Sequence, residues 1–153
     1  MISFSNTRGI ILFQSFIDRA ETKSVLEDKN DSFTVVLPSD FLASIFYNDD
    51  YMAINGKYIF YNAEKCNEVG LSNEERMACI AHELGHYYDE TPKDDNCLIR
   101  EMNADRFALD IVPCSSLVSA LSKLRDAFPE GCKRSSLELR IRQLNDKIDC
   151  SYN

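Results

Sequence analysis

The chain holds two histidines, His82 and His86, four residues apart, with Glu83 beside the first in the run Ala81-His82-Glu83-Leu84-Gly85-His86-Tyr87. On an α-helix that spacing stacks the two imidazoles on one face. Two imidazoles so placed can take two corners of a zinc tetrahedron. A glutamate next to the first ligand points beside the metal, where it can hold and deprotonate a water. The expected chemistry is therefore metal-assisted hydrolysis, with one Zn2+ per chain, His82 and His86 as ligands and Glu83 as the catalytic carboxylate. The competing reading is a helix that carries two histidines without a metal.

A hydrolytic zinc site keeps three protein ligands and one open position. No histidine remains for the third place, so a carboxylate must fill it. The metzincin pattern needs Gly and then His after the second ligand; Asp89 and Pro92 occupy those positions and exclude it. Asp89 and Glu90 lie too near the end of the motif helix to fold back. Asp94 and Asp95, on the following loop, stay open as ligands. Glu101 is favoured because it lies on the next predicted helix, after a loop long enough to reverse the chain. Asp105, one turn further on, is placed to hydrogen-bond a ligand histidine. The alternative for both is a solvated helix carboxylate. A tetrahedral oxyanion needs a further donor, and Tyr87, Tyr88 and Arg140 are the candidates. Against each stands a purely structural role.

The elements that must position these residues follow from pattern. Ile10, Phe13, Ile17 and Ala20 have helical spacing, which predicts a first helix over 7–28. Phe33 to Leu37 reads as a strand bounded by Pro38, and 39–47 as a short helix capped by Ser39 or Asp40. Two β-prone runs flank Asn55-Gly56, the signature of a hairpin over 51–61; 62–71 reads as a loop. Ser72-Asn-Glu-Glu75 is a capping box that opens the motif helix, expected to run to Tyr88. Further helices are expected over 98–112, ended by Pro113, and over 115–128, stopped by Pro129. A second capping box, Ser135 to Glu138, predicts a last helix over 135–148. The expected class is α+β: a small antiparallel or mixed sheet with the hairpin packed on the zinc-binding helix, followed by a helical C-terminal subdomain. The organisation expected is a single metallopeptidase domain over 1–153, with an N-terminal helix and sheet in 1–71 and the motif helix and C-terminal helices in 72–153.

Length and composition bound the function. A chain of 153 residues with 44% hydrophobic and 27% charged residues is expected to form one globular domain. Its net charge of -8 repels phosphate backbones and anionic lipid, so direct nucleic-acid binding and membrane docking are not expected. The most apolar stretch, 9–17, is far short of the roughly 20 residues that span a bilayer. Asp18, Arg19 and Glu21 follow it where a signal peptide would have small residues. A cytoplasmic location is expected, with all six cysteines reduced.

The run Ala81 to Tyr87, together with Arg100-Glu101-Met102-Asn103-Ala104-Asp105-Arg106-Phe107-Ala108 and Pro113, resembles the gluzincin arrangement. More narrowly it is similar to the ImmA/IrrE family of small bacterial and phage metallopeptidases. The similarity extends through Leu124 to Phe128, Ser136 and Arg140 to Leu144, and covers about half the chain. It implies His82, His86 and Glu101 as zinc ligands, Glu83 as the catalytic carboxylate, and a protein or peptide substrate, often a transcriptional regulator. Asp105 stands where that family usually has Asn; the Asp form is typical of the minigluzincins and of membrane proteases that resemble Ste-type prenyl-protein endopeptidases. The rival to an active endopeptidase is a non-catalytic or latent zinc-binding module on the same scaffold, with the tail 149–153 covering the metal in the latent form.

Overall fold

A computed structural model describes residues 2–5, 11–14, 23–27, 32–36, 51–55, 58–92 and 97–146. The chain divides into two compact units, Met1–Glu68 and Val69–Asn153.

The first unit contains six described strands: β1 Ile2–Ser5, β2 Ile11–Gln14, β3 Lys23–Glu27, β4 Ser32–Val36, β5 Met52–Asn55 and β6 Tyr58–Tyr61. Their order is β1-β2-β3-β4-β6-β5, antiparallel except for the parallel β4–β6 pair. The expected first helix over 7–28 is thereby corrected. Ile11-Leu12-Phe13 is a short apolar run that fits either period, and pairing decides it: Leu12 stands opposite both Phe4 and Leu26. In the hairpin around Asn55-Gly56, Asn55 faces Tyr58 and Met52 faces Tyr61. The helix expected over 39–47 lies outside the described residues. The loop expected over 62–71 contains a short helix, α1 Ala63–Glu68. Asn62 caps it, its Oδ1 accepting the Lys65 backbone N–H at 3.1 Å.

The second unit is built from four helices: α2 Asn73–Tyr88, α3 Cys97–Leu109, α4 Cys114–Ala127 and α5 Cys132–Asp146. The expected α+β class is overturned here. The unit that carries the motif is a helical fold with no strand among its described residues. The buried face of α2, with Met77, Ile80, Ala81 and Leu84, packs against α3 and α4, while α4 also packs on α5. Leu117, Leu121, Leu137, Ile141 and Leu144 complete the core. Each such side chain contributes about 1.5–3 kcal/mol by leaving water.

The start of α2 is fixed by a reciprocal cap. Ser72 Oγ accepts the Glu75 N–H at 3.2 Å, and Glu75 Oε2 accepts the Ser72 N–H at 2.8 Å. Glu75 also ties α2 to α4, accepting from Ser119 Oγ at 2.6 Å and Lys123 Nζ at 2.8 Å. Burial pushes the Glu75 carboxyl up, but these donors outweigh it and hold it below the usual carboxylate range. The last helix begins earlier than its capping box predicts. Ser135 lies inside α5, donating its N–H to Gly131 O at 3.0 Å. Cys66, Cys79, Cys97 and Cys132 are free thiols. Cys114 is disulfide-bonded, so the expectation of six reduced cysteines is corrected. No helix among the described residues is long and apolar enough to cross a membrane.

Candidate metal centre

Helical spacing brings His82 and His86 together, with ring centroids 4.6 Å apart and planes at 88°. Their partner comes from α3. Glu101 Oε2 lies 3.1 Å from His82 Nε2, and Oε1 lies 3.1 Å from His86 Nε2. The three side chains form one cluster whose donor atoms all fall within 4.8 Å of one another.

This close meeting requires Gly85, on α2 between the two histidines. A Cβ there would stand 2.7 Å from Ala104 Cα and 2.8 Å from Ala104 O. Without it the backbones of α2 and α3 approach, and Glu101, one turn before Ala104, reaches the imidazoles. The turn between the helices is braced separately. Asp89 Oδ1 accepts from the Thr91 N–H at 3.1 Å and Thr91 Oγ1 at 2.6 Å, and Asn103 Nδ2 donates to Thr91 Oγ1 at 3.1 Å. Asp89 thus serves the turn, and Glu90 is exposed. Asp94 and Asp95 lie outside the described residues.

Behind the cluster, Asp105 Oδ1 lies 2.8 Å from His82 Nδ1. In the neutral imidazole, a carboxylate there makes Nδ1 the protonated nitrogen, so that the Nε2 lone pair is the one that faces Glu101. Arg140 from α5 holds Asp105 with two parallel bonds, Nε to Oδ2 and Nη2 to Oδ1, both 2.8 Å. Its Nη1 lies 3.1 Å from Glu101 Oε2. All three guanidinium nitrogens are therefore engaged with carboxylates, Nε and Nη2 with Asp105 behind His82 and Nη1 with Glu101 in the cluster.

Tyr88 stacks on Phe107 at 5.3 Å and 20°, and Tyr87 meets Tyr88 edge-on at 5.1 Å. Tyr87 is the more accessible of the two, 37% exposed, and stands one turn past Glu83 on the same helix face. Glu83 is half-buried. Cys79, one turn before His82, is half-buried.

Burial disfavours the charged form of His82, but Asp105 and Glu101 outweigh it and raise the imidazole to about 9. Burial likewise pushes Glu101 and Asp105 up. The imidazoles hold Glu101 far below the usual carboxylate range, and Arg140 with His82 does the same for Asp105. The field that attracts a proton to His82 attracts any cation placed between these donors. With neutral imidazoles, the two carboxylates and one guanidinium leave a single negative charge, suited to a divalent ion.

The donor set fits zinc. Two imidazole nitrogens and one carboxylate are the ligand types that zinc takes in hydrolytic sites, at about 2.0–2.2 Å. Ligands at that distance in a tetrahedron are about 3.3 Å apart, close to the 3.1 Å of both His–Glu pairs. His86 Nδ1 is buried without a hydrogen-bond partner among the described residues, so no acceptor there sets its tautomer as Asp105 sets that of His82.

No family model, no curated protein and no solved structure matches this chain.

Proposed function

We propose that the chain is a zinc-dependent endopeptidase. The observation that carries this reading is the convergence of His82, His86 and Glu101 from two helices, with His82 oriented by Asp105. These three residues would hold one zinc ion. When bound, the ion supplies Lewis acidity, lowering the pKa of a water toward neutrality and polarising a peptide carbonyl. Glu83, adjacent to His82, takes the water's proton and delivers it to the leaving amine. Asp105 keeps His82 in the ligating tautomer.

The resemblance to the ImmA/IrrE family supports a protein or peptide substrate, with a regulatory protein such as a repressor as the class to try first. An active peptidase needs Glu83, whereas a module that only binds zinc does not. A cytoplasmic location is the finer part of this proposal, and the buried disulfide-bonded Cys114 is the feature that bears against it.

The test is hydrolysis of a fluorescence-quenched peptide library by zinc-loaded protein, beside Glu83→Gln. The proposal expects cleavage by the wild type, and at least a 100-fold loss in the variant with its zinc retained, about the contribution of a positioned general base. Equal rates in both proteins, or no cleavage by a zinc-loaded wild type, contradict it.

A further inference from the structure

The last helix does more than cover the core. Along α5, Leu137, Ile141 and Leu144 are buried on one stripe, and Arg140 occupies the same stripe with only 8% of its side chain exposed. A guanidinium in such a place is costly unless its donors are satisfied. Here Nε and Nη2 grip both oxygens of Asp105, and Nη1 reaches Glu101. Asp105 holds His82, and Glu101 faces both histidines. One side chain from the end of the chain therefore contacts the carboxylates on which the whole cluster depends. Arginine suits the task because its planar fork matches a carboxylate edge in two parallel bonds, which a lysine cannot reproduce.

We propose that Arg140 is a positioning residue of the metal centre. It fixes the rotamers of Asp105 and Glu101, and its positive charge offsets the second carboxylate, so that an aspartate can stand behind His82 without overloading the site with negative charge. The proposal rests on the zinc reading above and assigns α5 a part in building the site. Arg140 acts through Asp105 and Glu101, and its Nη2 stands 3.3 Å from His82 Nδ1, on the side of the ring away from Glu101.

The test is a double-mutant cycle in the full chain: wild type, Arg140→Met, Asp105→Asn and the double variant. Zinc affinity is read by competition with a chromophoric chelator, and site geometry by the visible spectrum of the cobalt(II)-substituted protein. Each single variant is expected to lose about 10–100-fold in zinc affinity, the usual effect of removing a group that supports a ligand. The cobalt bands shift, and the double variant is little worse than the worse single one, because both remove the same linkage. Arg140→Lys recovers only a small part. If Arg140→Met does not fold, Arg140→Lys carries the same readouts: wild-type affinity and spectrum in that protein overturn the proposal. So does wild-type zinc affinity in a folded Arg140→Met, or strictly additive losses. If the wild type itself binds no zinc, the metal reading falls and this inference with it; if only the Arg140 variants are unaffected, the metal reading stands and this inference alone fails.

Discussion

Replacing Gly85 with alanine adds one carbon where α2 and α3 come closest. The new Cβ would lie 2.7 Å from Ala104 Cα, and ordinary contact begins at 3.4 Å, so the helices must separate by about 0.7 Å. The two nearest obstructing atoms are backbone and the third is Phe107 Cβ at 3.0 Å, which is fixed to its backbone, so no side-chain rotation relieves the clash. Overpacking of this kind costs about 1–3 kcal/mol. Removing a helical glycine returns about 1 kcal/mol, leaving a net destabilisation of about 1 kcal/mol. The effect on the site is larger than the effect on the fold. Metal–ligand distances tolerate about 0.2 Å, and a shift of about 0.7 Å at Ala104 is carried one turn back to Glu101. Gly85→Ala is therefore expected to lower the melting temperature by a few degrees and to weaken zinc binding at least about 10-fold. Differential scanning calorimetry and chelator competition measure the two effects. Gly70→Ala is the control: its φ of +71° strains any side chain, but its Cβ would meet nothing within 4 Å. It is expected to lose about 1 kcal/mol of stability with zinc affinity intact. A Gly85→Ala protein that is stabilised and binds zinc like the wild type would refute this account of how Glu101 is brought to the histidines.

Glu101→Ala removes the carboxylate that α3 brings to the cluster and is expected to abolish stoichiometric zinc binding, read by elemental analysis after dialysis; retention of one zinc would move the third ligand elsewhere. Glu75→Ala removes the half of the cap in which Glu75 Oε2 accepts the Ser72 N–H, together with the tie to Ser119, and is expected to cost about 1–2 kcal/mol in denaturant unfolding. Lys123 adds little to that figure, because it is 39% exposed and screened. The pH dependence has a definite sign. The folded Glu75 pKa lies below its ordinary value of 4.5, so its contribution is present above that value and is lost as pH falls through the folded pKa. Glu75→Gln should therefore show a shallower fall in stability in acid than the wild type; an unchanged slope would show that folding does not lower the Glu75 carboxyl.

The motif helix was legible because two independent signals coincide there. The capping box from Ser72 to Glu75 marks its start, and the imidazoles mark its functional face. Glu101 and Asp105 were legible from spacing on the next helix, and the structure brings both to the histidines. The role of Arg140 was not. Its signal lies in the stripe Leu137, Arg140, Ile141, Leu144, where a charge interrupts an apolar face at helical spacing. That pattern marks a buried cation in need of carboxylates, but the pattern alone does not say which ones. The N-terminal third misled for a different reason. Ile11 to Phe13 is too short for its period to separate helix from strand, and only pairing with β1 and β3 decides. The short helix α1 followed a cap, Asn62, that a reading centred on hydrophobic pattern passes over. The helical class of the motif-bearing unit depends on how four helices cover one another, a long-range outcome that no local window contains.

The most direct test is the zinc content of the protein purified without added metal, measured by elemental analysis. The account predicts close to one zinc per chain, removed by chelator and restored by zinc. A value near zero that added zinc does not raise would contradict it, and would leave His82, His86 and Glu101 as a cluster held together by Asp105 and Arg140 for structural reasons alone.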